Sequence, residues 1–240
     1  MLGLEFRKSI RGRTLFYIIS TVALTYVLGY ILPVGIDKLR HLTLGEFYFS
    51  TYTVFTQFGF LIFGFVIVYF FNKDYSDKCI LYHYFSGYHL TKYFYTKLLV
   101  LFSEFFIAII VCNILASLLW GYSLFYFLTT TILFSLVVLQ YLLVVSTISI
   151  LFSNMLVSIG VTIFYWITSI ILVAIGGIFK VSAIFDASNS LYKIIGELFS
   201  HPMTIDLTDF FIIVPYMICL SVISFLIVCL SNRRWLLNGM

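Results

Sequence analysis

Residues 98–120 read LLVLFSEFFIAIIVCNILASLLW, an apolar run in which Glu104 is the one charged residue. A helix of this length extends about 34 Å, which matches the roughly 30 Å of hydrocarbon in a bilayer. A soluble helix would need a polar face toward water, and this run has none. The stretch therefore predicts a transmembrane helix.

Comparable apolar runs occur along the rest of the chain. The 240 residues are 62% apolar and 10% charged, whereas a soluble domain carries about 25% charged residues. No internal repeat or separate polar domain is visible. The sequence thus predicts an all-α membrane protein formed by one domain over residues 1–240, with six transmembrane helices at about 14–33, 49–71, 98–120, 124–152, 155–179 and 209–230.

The remaining segments are predicted to lie outside the hydrocarbon. Residues 1–13 place apolar and basic side chains on different sides of a helix, which indicates an N-terminal interfacial helix. A signal peptide is the alternative, but the following run is too long for one and no A-x-A site follows. Residues 72–97 form the longest polar loop, and residues 180–208 are amphipathic.

The orientation is predicted from the lysines and arginines. With the N-terminus in the cytoplasm, ten of them lie on the cytoplasmic side and four on the other. Basic residues accumulate on the cytoplasmic side of membrane proteins. We therefore expect both termini inside, residues 72–97 in the cytoplasm and residues 180–208 outside.

No catalytic or cofactor motif is found in the sequence. GxxxxGK[ST] is absent, the four histidines have no metal-ligand spacing, and the four cysteines are not paired in spacing. Nucleophile motifs such as GxSxG are absent as well. We expect no enzyme activity, metal, cofactor or nucleic-acid partner for this chain.

A few polar or helix-breaking residues interrupt the apolar runs. Glu104 is either a functional carboxylate that faces a cavity, or an interfacial one that pairs with Lys97 or Lys92 or is covered by a neighbouring helix. Gln140 could bind a ligand or join helices by a hydrogen bond. Pro215 is expected to kink the last span.

The loop over residues 72–97 carries a resemblance to the ABC type 2 permeases, the membrane subunits of ATP-binding-cassette exporters. Their loop after the second span reads acidic–x–x–x–Gly–Thr, followed by an apolar stretch and basic residues. Here Asp74 takes the acidic place, Cys79 stands in the Thr place, and Lys92 and Lys97 match the basic ones. Lys78 replaces the glycine. The order of spans along the chain is similar too.

This resemblance implies a mechanism and partners. A coupling helix at about residues 77–85 would dock into a separate ATP-binding subunit, with six contact residues: Asp74, Asp77, Cys79, Tyr82, His83 and Lys92. A second permease chain, the same or different, would pair with this one. The cargo path between them would include Glu104 and Gln140.

The cargo implied by the resemblance is amphipathic, in the first place a peptide exported through a bacterial plasma membrane. Such permeases serve peptide export or self-protection against antimicrobial peptides, and polysaccharide export is less favoured. Two alternatives stay open at this point: a non-transporting polytopic protein, such as an assembly factor or sensor, and a membrane enzyme.

Overall fold

The structure is a computed structural model that describes residues 2–36, 42–77, 89–200 and 207–231, together with positions 38, 79, 85 and 87. All regular structure in these residues is helical. Two short 3-10 segments, Gly177–Ala183 and Leu207–Ile212, accompany nine α-helices in the described residues: α1 Leu2–Arg11, α2 Thr14–Gly35, α3 Leu44–Gln57, α4 Gly59–Ser76, α5 Leu90–Trp120, α6 Leu124–Leu151, α7 Met155–Ile175, α8 Ser190–Ser200 and α9 Ile213–Leu230.

Five described stretches are long and apolar enough to cross a membrane, namely α2, α5, α6, α7 and Phe210–Leu230. The pair α3 and α4 passes the same test together and is bent by 54°, so it adds a sixth span if the two helices cross the membrane as one. The prediction of an all-helical membrane protein is confirmed, with five or six candidate spans in the described residues. The orientation of the bundle stays a prediction.

Helix α6 lies at the centre of the bundle. Of its most apolar 18-residue window, 78% is buried inside the protein, against 22% for α7 and 28% for α2. It contacts α3, α4, α5, α7 and α9. The peripheral helices therefore present most of their apolar side chains outward, where lipid is the matching environment.

The bend in the second span distinguishes the structure from the single helix expected at 49–71. Helix α3 ends at Gln57 and α4 begins at Gly59, so carbonyls at the end of α3 lose their helical partners. The hydroxyl of Tyr141 on α6 donates to the Phe55 carbonyl at 2.9 Å and to the Thr56 carbonyl at 3.3 Å. A side chain from the central helix thus stabilises the bend.

Two helix ends also differ from the expectation. Helix α7 ends at Ile175, before the predicted 179, because Gly176 and Gly177 adopt φ values of 86° and 64° that favour glycine. Pro215 lies in the first turn of α9, which begins at Ile213. Because an N–H in the first turn of an α-helix has no partner within that helix, proline is accommodated there. A kink at Pro215 stays a prediction.

Candidate functional site

The end of α4 carries a buried carboxylate that joins three helices. Asp74 is 0% exposed. Its Oδ2 lies 2.8 Å from the Lys97 ammonium of α5 and accepts a hydrogen bond from the Tyr93 hydroxyl at 2.9 Å. Its Oδ1 pairs with the ammonium of Lys8 on α1. We call these four side chains the Asp74 cluster.

Lys97 is fully buried within the Asp74 cluster. Its ammonium donates to the Phe70 carbonyl at 2.6 Å and lies 4.5 to 5.2 Å from the ring centres of Phe70, Phe71 and Tyr93. An isolated buried ammonium would be strongly unfavourable, but a carboxylate, a carbonyl and aromatic faces surround this one. The arrangement fixes the first turns of α5 against the end of α4.

Lys8 brings the N-terminal helix into the Asp74 cluster. Burial favours the neutral amine, yet the Asp74 carboxylate outweighs this effect and raises the pKa of Lys8 above its ordinary value. Lys8 therefore pairs with Asp74 as a cation. One carboxylate holds α1, α4 and α5 together, directly beside the loop between α4 and α5.

The predicted coupling residues differ in how far they are buried. The Asp74 carboxylate is turned into the bundle, so it can act on a docked partner only by positioning the helices. Asp77 and Lys92 are exposed at the two helix ends that flank the loop, and Cys79 is a half-buried free thiol. Tyr82 and His83 lie outside the described residues. The contacts of all six with a partner stay predictions.

Glu104 lies on α5 about two turns beyond Lys97 and is 1% exposed. Neither carboxylate oxygen has a hydrogen bond within the described residues, and the hydroxyl of Ser9 on α1 lies beside the carboxylate. The Lys97 ammonium binds Asp74 rather than Glu104. Of the two options for Glu104, the structure agrees with a carboxylate that a neighbouring helix covers.

Gln140 lies in a different part of the bundle, beside the bend of the second span. It is 4% exposed, and its Oε1 has no hydrogen bond to any residue that the structure describes. With Thr56, Tyr165 and Trp166 it lines a small cavity of about 20 Å³. The structure therefore does not bring Gln140 and Glu104 into one continuous path, and a cargo role for either stays a prediction.

Two side chains of the Asp74 cluster were not predicted from the sequence. Lys8 and Tyr93 were not singled out, although Tyr93 and Lys97 are four residues apart and so share one face of α5. A chain of hydrogen bonds also joins α2, α5 and α6: the Tyr26 hydroxyl donates to Asn113 Oδ1 at 2.7 Å, and Asn113 Nδ2 donates to the Thr131 hydroxyl at 2.9 Å.

An apolar groove lies near the opposite end of α5, between α2 and α5. Its volume is about 770 Å³, within the usual range for ligand sites. Tyr26, Tyr30, Phe47 and Trp120 supply its aromatic walls, and none of its described lining residues is charged. The rings of Phe47 and Trp120 stack with centroids 4.4 Å apart. We call this feature the aromatic groove.

Five or six apolar spans define a polytopic membrane protein, which carries an ion-paired cluster beside one loop and an aromatic groove. The family model of the peptide export permease protein YydJ family matches residues 2–240, and the chain belongs to this family. The probable peptide export permease protein YydJ of Bacillus subtilis (strain 168) is 41% identical over 239 residues, 99% of each chain. No solved structure matches the chain. The predicted resemblance to a peptide-export permease is confirmed.

Proposed function

We propose that this chain is the membrane subunit of a bacterial ABC exporter that moves an amphipathic peptide out of the cell. The observation that carries the proposal is the family match over residues 2–240, which extends along every span and the loop between α4 and α5. Because the sequence has no GxxxxGK[ST] loop, ATP hydrolysis belongs to a separate subunit.

The coupling role of residues 72–97 is supported by the Asp74 cluster. The exposed Asp77 and Lys92 flank the segment that a partner would contact. A push on this segment reaches the end of α4 first, and the ion pairs of Asp74 carry it to α1 and α5. Three helices then move as one body, which is how rigid-body motion passes between packed elements.

An amphipathic cargo is supported by the aromatic groove. Its tyrosine and tryptophan side chains combine large apolar faces with a polar group, which suits a peptide with both apolar side chains and polar amides. The absence of charged lining residues in the described part of the groove disfavours a highly charged polymer such as an acidic polysaccharide.

The location and assembly of the exporter complete the proposal. The chain lies in the plasma membrane with both termini in the cytoplasm, as the ten-to-four distribution of lysine and arginine indicates. Two permease chains pair around the cargo path. The ATP-binding subunit docks on the cytoplasmic face.

The test is reconstitution of the chain with its ATP-binding subunit in lipid vesicles. ATP-dependent movement of a labelled amphipathic peptide is expected for the complex, and no ATP hydrolysis is expected for this chain alone. Deletion of residues 77–85 should leave membrane insertion intact and abolish binding or coupling of the ATPase. Full transport after that deletion would contradict the coupling role, and a complex that never moves peptide would contradict the export function.

A further inference from the structure

Helix α1 packs on the bundle through its polar side. Glu5 and Ser9 are 2% and 1% exposed, and Lys8 reaches inward to Asp74. Three of its apolar side chains face outward instead: Leu2, Leu4 and Ile10 are 42%, 69% and 59% exposed. A helix on a protein in water buries its apolar side, so the exposed side of α1 requires an apolar environment other than the protein.

Basic groups lie on the same exposed side. Arg7 and Arg11 are one helical turn apart, and on the helix surface they lie between Ile10 and Leu4. Arg13 is exposed at the start of α2. None of these arginines has an ion-pair partner among the described residues, whereas the charge of Lys8 is balanced by Asp74.

A further cation from α4 lies close to the end of α1. The ammonium of Lys73 lies 3.6 Å from the position that a Cβ on Gly12 would occupy. Gly12 follows directly after α1, so this ammonium stands beside the end of that helix. The exposed side of α1 therefore carries the positive charges of Arg7 and Arg11 between two apolar side chains, Leu4 and Ile10, with another cation near the end of the helix.

We propose that the exposed side of α1 is a binding site for an anionic phospholipid. The guanidinium groups of Arg7 and Arg11 bind the headgroup phosphate, for which planar forked donors are well suited. Leu4 and Ile10, which flank the two arginines, contact the acyl chains. A phospholipid of the surrounding leaflet fits better than a free phosphate, because a free phosphate leaves these apolar side chains uncovered.

The expected strength follows from the charges. A basic residue near an anionic membrane surface contributes roughly a fivefold preference for anionic lipid. Removal of both Arg7 and Arg11 should therefore reduce the preference for phosphatidylglycerol over phosphatidylcholine about 25-fold. This binding does not require transport. Its measurement can therefore fail while the proposed export function holds, and the reverse is also possible.

The experiment uses the full chain in nanodiscs of phosphatidylglycerol and phosphatidylcholine, with the lipids retained by the released protein counted by mass spectrometry. The variant R7Q/R11Q should lose most of the phosphatidylglycerol enrichment. The matched control K180Q/K193Q removes the same charge from exposed positions in another part of the chain and should behave as the wild type. Enrichment that is equal in both variants would overturn the proposal.

Two further arms make every result informative. Excess inorganic phosphate should not displace the lipid; displacement would assign the site to a free anion and overturn the lipid assignment. R7K/R11K keeps both charges and should retain most of the enrichment. If the double glutamine variant cannot be purified, R7Q and R11Q are measured singly, and a loss below twofold in each would likewise refute the site.

Discussion

Asp74 and Lys97 show what a single ion pair does when it is placed inside a membrane protein. Both residues are 0% exposed, so Lys97 depends on Asp74 for its counter-charge, and Asp74 depends on Lys97 and Lys8. Such a pair does not by itself make a protein more stable than an apolar pair of similar volume, because both charges have lost their hydration. The pair instead makes the fold more specific, because few other arrangements of α1, α4 and α5 satisfy the same charges.

We expect Asp74→Asn to destabilise the protein by about 3–5 kcal/mol, because the Lys97 ammonium is left buried without a counter-ion. Asp77→Asn is the matched control: it removes the same charge three residues away at an exposed position, and its effect should stay within about 0.5 kcal/mol. Unfolding in mixed micelles measures both. Equal stability of the two variants would show that the Asp74 cluster is not a stabilising contact.

The helix bend at residues 57–59 shows how one helix determines the shape of another. The second span is two helices at 54°, and the freed carbonyls at the end of α3 are satisfied by Tyr141 from α6. In hydrocarbon no water is available to replace that hydroxyl. The bend in the second span therefore depends on its contact with α6.

Tyr141→Phe should weaken this bend, because the Phe55 carbonyl loses its partner inside the bundle. The expected cost is about 1–3 kcal/mol, with faster amide hydrogen exchange near the bend. Tyr122→Phe is the control, since Tyr122 is 68% exposed in the turn before α6. Exchange rates near residue 58 that are unchanged in Tyr141→Phe would contradict the role of the hydroxyl.

A second prediction at this scale concerns the contact between α2 and α3. A Cβ on Gly29 would lie 2.3 Å from the Thr51 hydroxyl and 2.7 Å from its Cα, a backbone atom that cannot move aside. Gly29→Ala should therefore force the two helices apart and lower the unfolding temperature by several degrees. Gly160→Ala, where nothing lies within 4 Å, should not. A lower unfolding temperature for Gly160→Ala than for Gly29→Ala would contradict the close approach of α2 and α3.

The comparison of sequence and structure is clearest for the spans. Long apolar runs predict spans because hydrocarbon permits few other backbone structures. The Asp74 cluster could not be predicted in the same way, since Lys8 and Asp74 are 66 residues apart and periodicity does not reveal which helices meet. Tyr141 lies within an apolar run, so its carbonyl partners become visible only when α3, α4 and α6 are placed together.

For the whole molecule, the orientation in the membrane determines whether an ATPase can reach the loop. In a chain with Cys79 as its single cysteine, a membrane-impermeant maleimide should react only after the cells are permeabilised. In a cysteine-free chain that carries K193C, it should react with intact cells. Labelling of Cys79 from outside would reverse the orientation and exclude docking of a cytoplasmic ATPase on residues 72–97.

The Asp74 cluster also has a consequence for the order of synthesis. Helix α1 leaves the ribosome before Asp74, which follows Lys8 by 66 residues, and before Lys97. A nascent chain that stops before α5 contains Lys8 and Asp74 but lacks Tyr93 and Lys97. The Asp74 cluster is therefore completed only when the third span is synthesised, which makes biogenesis sensitive to truncation at that point.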